Sequence, residues 1–587
     1  MTYLFFSPYT AIWQQSLPEA FVSRTLKEAG LQVTYLSCKA SFAQYCIAMN
    51  AYGLTPHSTQ VEKDKVCSTC INYTKLLTKN NADKTNYIHE YITIEDKLKI
   101  EQALLALDGE KLRKTTSFNE PLRKFATYNL ILLHKIVDIQ LLTNDTYYLQ
   151  YRREYEQVLL SYYSFQNYIN QNDITGVFIT NSFYPTNRTV AWLAENRRIP
   201  VYWLHAGGSL HNRLHTLNIG KGHHYNILHS WLARWQATHE TRAAPIVGIK
   251  HVTEHFKTLL EGKNIFVYSS NKFKSEGMHS FFDVPLGKRV ILAVLSSQDE
   301  RVAVETINVL EPPTALLFKT QVDWLEKLIC FVKKNPDIYL IIRVHPRDFP
   351  NRRDAVISTQ ANLLKEKLVN LPINIKVNWP TENISLYQLA TIVDICVHNG
   401  TTVGKEFSLL GIPTVNYMSS GLCYPYNLSF YGFTEKEYFE AIDEALMKKW
   451  CYKTAKNAFR WSSLELHEGL WPLGKQFDEL QENKPLPIIK KIINKIYPLF
   501  LKKISSCRVR PISDHKQLLA LINSNVVSKL DLNEVQNSTE LDFLEEKKAI
   551  FNALKIIFDT IYSKIKSTED FKLLEKFNDA WKDSNAI

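Results

Sequence analysis

The alternation of short apolar strand, polar turn and amphipathic helix, repeated along most of the chain, limits this sequence to a fold built on parallel sheets. Tyr3-Leu4-Phe5-Phe6 is an apolar run closed by Ser7-Pro8, after which Trp13, Leu17, Phe21 and Leu26 recur at helical spacing. Gly30 ends that helix and residues 31–36 resume as a strand, so the chain opens on a βαβ unit. Residues 85–170 carry long helical periodicity rich in Leu and Tyr and are expected as inserted helices covering the first domain. The alternation returns with a strand at 176–180, a helix at 190–196 and a strand at 199–204 that runs into His205-Ala206-Gly207-Gly208. Residues 281–288, with Pro285 and Gly287, read as a linker.

A second alternating unit follows. Strands are expected at 290–295, 339–344, 392–397 and 412–415, with helices at 322–333 and 402–410. A chain of 587 residues is too long for one core. The expected fold class is α/β, with two doubly wound domains at 1–284 and 285–480 facing each other across a cleft. Residues 481–587 are expected as a basic segment and a helical appendage, because the alternation stops and helices dominate.

Composition narrows the class further. With 45% hydrophobic and 22% charged residues the chain reads as globular, not disordered. The start, Met1-Thr2-Tyr3-Leu4-Phe5-Phe6, lacks the basic and apolar regions of a signal peptide, and no apolar run is long enough to span a bilayer. A cytoplasmic protein is expected. Its formal net charge of +11 favours acidic partners: nucleic acid, anionic lipid or phosphorylated substrates. Nine cysteines in a chain of this size do not make a disulfide scaffold.

Five polar clusters each follow the carboxyl end of an expected strand, the edge where open α/β sheets bind ligands. They are Asn181, His205 to Gly208, Ser296 to Glu300, His345-Pro346 and Asn399 to Thr402. Gly400 lets the backbone turn closely, and Thr401 and Thr402 can cap the next helix, an arrangement suited to phosphate. Glu406, one turn in, can accept hydrogen bonds from a ribose or be a solvated helix residue. His345 is held at the sheet edge by Pro346 and can donate to a phosphate or leaving-group oxygen. Arg343 lies on the same side of its strand, while Arg347 reads as a surface charge. Ser296 to Glu300 supplies adjacent carboxylates at the domain junction, able to act as a base or a nucleophile; Asp299 or Glu300 can fill that role, Asp299 being preferred. His205, Gly207, Gly208, Ser296 and Ser297 are expected in the cleft wall.

Other features are read more blandly. His211 and His215 have helical ligand spacing but no zincin glutamate, so they and His223, His224 and His229 are taken as loop and surface residues. Cys38, Cys46, Cys67 and Cys70 include a C-x₂-C pair, yet free buried thiols are common; no structural zinc and no catalytic metal is expected. From residue 484 to 510 the chain carries eight basic residues and no acidic one: Lys484, Lys490, Lys491, Lys495, Lys502, Lys503, Arg508 and Arg510. This stretch fits an anionic membrane surface or a solvated face.

Taken together, Ser296-Ser297-x-Asp299-Glu300, Gln321 to Leu325, Ile342-Arg343-Val344-His345-Pro346, Ser385 to Leu389 and Gly400-Thr401-Thr402-Val403-Gly404-x-Glu406-x₅-Ile412-Pro413 form an ordered series. The series resembles bacterial capsule and lipopolysaccharide biosynthesis glycosyltransferases, including the retaining β-Kdo transferases. More distantly it is similar to CDP-glycerol glycerophosphotransferases. Trp13, Cys38 and Cys67-x₂-Cys70 also look like the capsule family's first domain. The resemblance implies a GT-B fold of two Rossmann-like domains and a nucleotide-sugar co-substrate, CMP-Kdo in the Kdo enzymes, with no cofactor. It further implies a glycan or glycolipid acceptor, no nucleic-acid partner, and a place in the cytoplasm or peripheral at the inner membrane. By position it makes Asp299 the acidic cleft residue and puts His345, Thr401 and Thr402 on the nucleotide side. His398-Asn399 before Gly400, and Thr in place of Ser at 401, depart from the pattern. Polyol-phosphate transfer from a CDP-alcohol and a non-catalytic assembly platform are the alternatives.

Overall fold

A computed structural model describes residues 1–110, 120–139, 145–262, 270–312, 316–351, 355–417, 423–473, 509–567 and 570–585. The expected alternation folds into two sheets. The first is built from β1 (Thr2–Ser7), β2 (Gln32–Ser37), β3 (Lys84–Tyr87), β4 (Gly176–Thr180), β5 (Val201–Ala206), β6 (Thr216–Lys221) and β13 (Trp471–Pro472), in the order β13-β6-β5-β4-β1-β2-β3. The second comprises β7 (Arg289–Val294), β8 (Ile338–Arg343), β9 (Ile375–Asn378), β10 (Ile395–His398), β11 (Thr414–Asn416) and β12 (Phe430–Tyr431), in the order β12-β11-β10-β7-β8-β9. All pairings are parallel except β5 with β6 and β6 with β13. The central strands read as continuous apolar runs because helices cover both faces; every residue of β4 and β8 is buried. Strand order reverses between β1 and β4 in one sheet and between β7 and β10 in the other, which opens a crevice above each switch point.

The expected domain limits do not describe how the cores are filled. The chain leaves the first sheet at 239–245, well before the expected linker. The next helix, Ile246–Glu261, buries Ile249, Val252, Phe256 and Leu260 in the second core, beside Val290, Leu292 and Val294 of β7. Residues 281–288 do not span open space either, since Phe282 and Val284 are buried in that same cluster. Trp471 returns to pair with β6, and Val509, Ile512, Leu518, Leu521 and Ile522 complete the first core. The chain then crosses once more, and helix Glu540–Tyr562 packs Ile550, Leu554, Ile557 and Ile561 into the second. The described part of the expected appendage therefore completes both cores. Of the basic stretch only Arg510 belongs to the described residues; its other seven cations lie outside them.

The helices in 94–171 differ from expectation in a similar way. Residues 84–87 are strand, not helix, and the helices that follow bury Tyr128, Ile131 and Tyr155 together with Ala303, Val304 and Ile307 of the second unit. They bridge the two halves. Among the described residues no helix is long and apolar enough to cross a membrane.

Where the crossings meet, Arg460 and Glu546 form a two-pronged ion pair, Nε to Oε1 at 2.7 Å and Nη2 to Oε2 at 2.6 Å. Arg460 Nη1 also donates to the His239 carbonyl at 2.5 Å, and Ala244 N–H donates to Glu546 at 2.7 Å. Both side chains are buried, 4% and 1% exposed, so the pair is held where water cannot replace a lost partner. Glu546→Ala leaves the Arg460 charge uncompensated and is expected to cost about 3–5 kcal/mol. A urea midpoint shifted by less than the equivalent of about 1 kcal/mol would contradict this.

Candidate functional site

A cavity of about 280 Å³ opens above the switch point of the second sheet. Its walls come from the ends of β7, β8 and β10, from the loop after β5, from helix Ile246–Glu261, and from the π-helical turn Leu464–Glu468. The histidine-proline and glycine-threonine corners, distant in sequence, both face it: Arg343, His345 and Pro346 from one, Thr401, Thr402 and Glu406 from the other.

At the first corner Pro346 starts a short 3₁₀ turn, and the Arg347 N–H donates to His345 Nδ1 at 3.2 Å. Burial, followed by the Arg347 charge, lowers the His345 pKa to about 4. The ring is neutral, and with Nδ1 accepting, its proton sits on Nε2 as a donor. Arg343 closes β8 with its guanidinium buried, bonded to Asn378 Oδ1 and to the Ile384 carbonyl at 3.1 Å. Burial lowers its pKa only to about 10, so it keeps its charge.

The second corner is organised by a residue that sequence reading quoted but gave no role. His398 Nδ1 accepts the Gly400 N–H at 3.2 Å, which fixes the turn at Gly400, where φ is +93°. Tyr424 donates to the Thr401 carbonyl at 3.0 Å, and a Cβ at Gly404 would collide with His398 Nε2 and the Tyr424 hydroxyl. Thr401 Oγ1 accepts from Val403 N–H at 3.4 Å. Thr402 does not cap the helix with its side chain, and Val403–Leu409 is only seven residues long, so less axial dipole is available than a longer helix would supply. Glu406 is not a solvated helix residue. It accepts from Tyr387 at 2.9 Å, and burial raises its pKa against the pull of Tyr387, Lys405 and Thr402.

Other expected residues lie elsewhere. Asp299 is 1% exposed, does not line the cavity, and is bound by Arg347, with Nη2 to Oδ2 at 2.6 Å and Nε to Oδ2 at 3.2 Å. Arg347, expected as a surface charge, is buried. It also donates to the Leu132 carbonyl at 3.1 Å, while Lys135 Nζ donates to the carbonyls of Phe349 (3.3 Å) and Val356 (2.6 Å). This pair therefore ties the bridging helices to the histidine-proline corner. Glu300 is exposed and lies 3.7 Å from Arg347 Nε. Ser297 donates to Asp299, and Ser296 Oγ accepts from Gln298 at 2.7 Å, so both serine hydroxyls bond within the loop.

On the facing wall Gly208 lines the cavity. Gly207 instead closes the β5–β6 hairpin, its N–H donating to the carbonyls of Arg213 and Thr216. His205 stacks on Trp203, bonds Ala206 O through Nδ1 at 3.0 Å, and has its pKa lowered by burial to about 4. Cys38, Cys46, Cys67 and Cys70 join one apolar cluster; burial pushes the Cys46 thiol up to about 12 and Cys67 to about 11. Among the described residues no group of three His, Cys, Asp or Glu is arranged to hold a metal ion.

Lys405, Tyr387, His255 and Glu465 line the cavity without having been singled out from sequence. Lys405 lay inside the quoted motif and could have been found as a cation beside the turn. Glu465 carries no sequence signal, because its approach depends on the chain's return between the two units.

Because it removes the carboxylate that Arg347 is paired with in a buried setting, Asp299→Ala is expected to cost about 3–5 kcal/mol. The check is the urea midpoint, and a variant as stable as wild type would show that the pair does not clamp the corner.

No family model and no curated protein sequence matches the chain. Among solved structures it is similar to the beta Kdo 2,4 transferase of Thermosulfurimonas dismutans, at 14% identity over 49% of this chain and 79% of that one, with a TM-score of 0.30. It is similar to the beta Kdo 2,7 transferase of the same organism, at 15% identity over 47% and 79%, with a TM-score of 0.25. A third similar structure is the UDP-GlcNAc 2-epimerase of Methanocaldococcus jannaschii in complex with UDP-GlcNAc and UDP, at 12% identity over 79% and 98%, with a TM-score of 0.28. The GT-B arrangement stands on the chain's own two sheets, and function is argued from the cavity's own residues.

Proposed function

We propose that this chain is a nucleotide-sugar-dependent glycosyltransferase. The observation that carries the reading is the convergence of two strand-end corners on one cavity, bringing Arg343, His345, Thr401, Thr402, Lys405 and Glu406 together. His345 Nε2–H and the Arg343 and Lys405 cations are the groups to receive the donor's phosphate oxygens, and the Thr401 and Thr402 hydroxyls add donors. Glu406, already an acceptor for Tyr387, takes the ribose hydroxyls. An adjoining cavity of about 260 Å³ shares Arg343, Val344 and Pro346 and contains Trp379 and Asn378, which suits a nucleobase. Asp299, sealed by Arg347, acts as a positioning residue for the histidine-proline corner.

The acceptor is read, on the sequence resemblance, as a bacterial surface glycan or glycolipid, and CMP-Kdo is the first donor to try. Transfer of a polyol phosphate would use the same phosphate cradle without a carboxylate directed at a sugar. Two carboxylates, Glu406 and Glu465, line this cavity, and they favour sugar transfer.

The test is thermal unfolding with CMP, UDP and CDP. A nucleotide at 100 times its Kd adds about 2.7 kcal/mol of stability, which is readily measured. His345→Asn keeps an acceptor for the Arg347 N–H but removes the Nε2 donor, and is expected to weaken the binding about tenfold or more. If none of the three nucleotides raises the melting temperature of the wild-type protein, the reading is wrong.

A further inference from the structure

We propose that Glu465 is the catalytic carboxylate of the transfer, the group that takes the proton of the acceptor hydroxyl, and that Lys405 decides when it can do so. This rests on the transferase reading above. With Asp299 sealed, the acids lining the cavity are Glu406 and Glu465. Glu406 is already held by Tyr387 and Thr402 on the phosphate side. Glu465 comes from a different element, a π-helical turn, a rare local geometry that recurs at functional sites.

The first unit reaches this turn directly. A Cβ at Gly208 would lie 3.3 Å from Leu466 Cδ2 and 4.0 Å from the Glu465 carbonyl, so the loop after β5 packs against it. An acceptor bound beside Gly208 lies next to the turn that carries Glu465. Gly248 lets helix Ile246–Glu261 come closer still to Ser463, whose Oγ would collide with an added Cβ, and this contact holds the turn in place.

Lys405 pairs with Glu465, their side chains 11% and 22% exposed. The other ionisable groups facing this pair are Glu406, Cys423 and His255. The donor's phosphate competes for Lys405 Nζ, and once Lys405 turns to it the Glu465 carboxylate is released from its ion pair to meet the acceptor hydroxyl. The acceptor proton then passes to Glu465 while the acceptor oxygen's electron pair bonds to the anomeric carbon. The bond from that carbon to the phosphate oxygen breaks, and its electron pair leaves with the nucleotide, where Arg343, His345 and Lys405 receive the charge. The proton on Glu465 goes to solvent.

The experiment measures nucleotide release from CMP-Kdo and UDP-GlcNAc by the full-length protein, with water as acceptor, alongside thermal shifts with CMP and UDP. Glu465→Gln is expected to keep the nucleotide shift, which shows that it folds and binds. Its kcat should fall about 100-fold, with loss of the acidic limb of the pH profile. Glu465→Asp should recover part of the rate and of that limb, and Lys405→Met should weaken nucleotide binding. If the wild type turns over and Glu465→Gln stays within threefold of it, the proposal fails alone. If the wild type neither binds nor cleaves, the transferase reading fails and this proposal with it.

Discussion

A guanidinium excluded from water must find its partners inside the protein, and Arg460 finds them on two other passes of the chain. Its carboxylate partner Glu546 belongs to the last pass into the second unit, and its carbonyl partner His239 to the first. Glu546 also takes the N–H of Ala244, just before helix Ile246–Glu261 begins. That helix carries His255 into the cavity, and the segment after Arg460 carries Glu465. One buried pair thus fixes the roots of two elements that line the cavity. The pair is worth more as a constraint than as a source of stability, since desolvating two charges offsets most of their attraction. Asp299 and Arg347 do the same at the other edge, where the bridging helices meet the histidine-proline corner.

The sheets were legible because parallel strands covered on both faces must be apolar throughout, and such runs stand out against polar turns. The cavity-facing corners were legible for a related reason: parallel strands end on one edge, so a polar cluster after each strand lands near the others. Arg343, His345, Thr401, Thr402 and Glu406 needed nothing more. The same rule misled at Asp299, because nearness to a strand end does not say where a side chain points, and a buried Arg347 looks like any surface arginine in sequence. The antiparallel strand β6 was assigned no element from sequence because it has no apolar run of its own. Its Thr216 and Asn218 alternate with Leu217 and Ile219 in a short hairpin.

The C-terminal third shows a different limit. Helical periodicity in 509–585 marks an apolar face but not its destination. Leu518 and Leu521 could not announce that they fill the first core, nor Ile550 and Leu554 that they fill the second. Which core a helix joins depends on how the chain is routed, and routing leaves no local trace in composition or spacing. Glu465 inherits that blindness, since it belongs to a turn whose position is set by the crossing that follows it.

Burial also decides which groups in the cavity are charged, and this bears on how an anion is selected. His345 and His255, lowered to about 4 and about 3, are neutral donors or acceptors, whereas Arg343 remains a cation. The formal +11 of the whole chain is therefore not what recognises a phosphate; the local balance is. That balance is met within the protein: Lys405 by Glu465, Arg343 by the Asn378 and Ile384 oxygens with Glu382 nearby. A cavity of unpaired cations would hold any phosphate; in this one an anion has to draw Lys405 from its carboxylate. In the proposed transfer that exchange couples donor binding to the carboxylate that serves the acceptor, because the two share one charge.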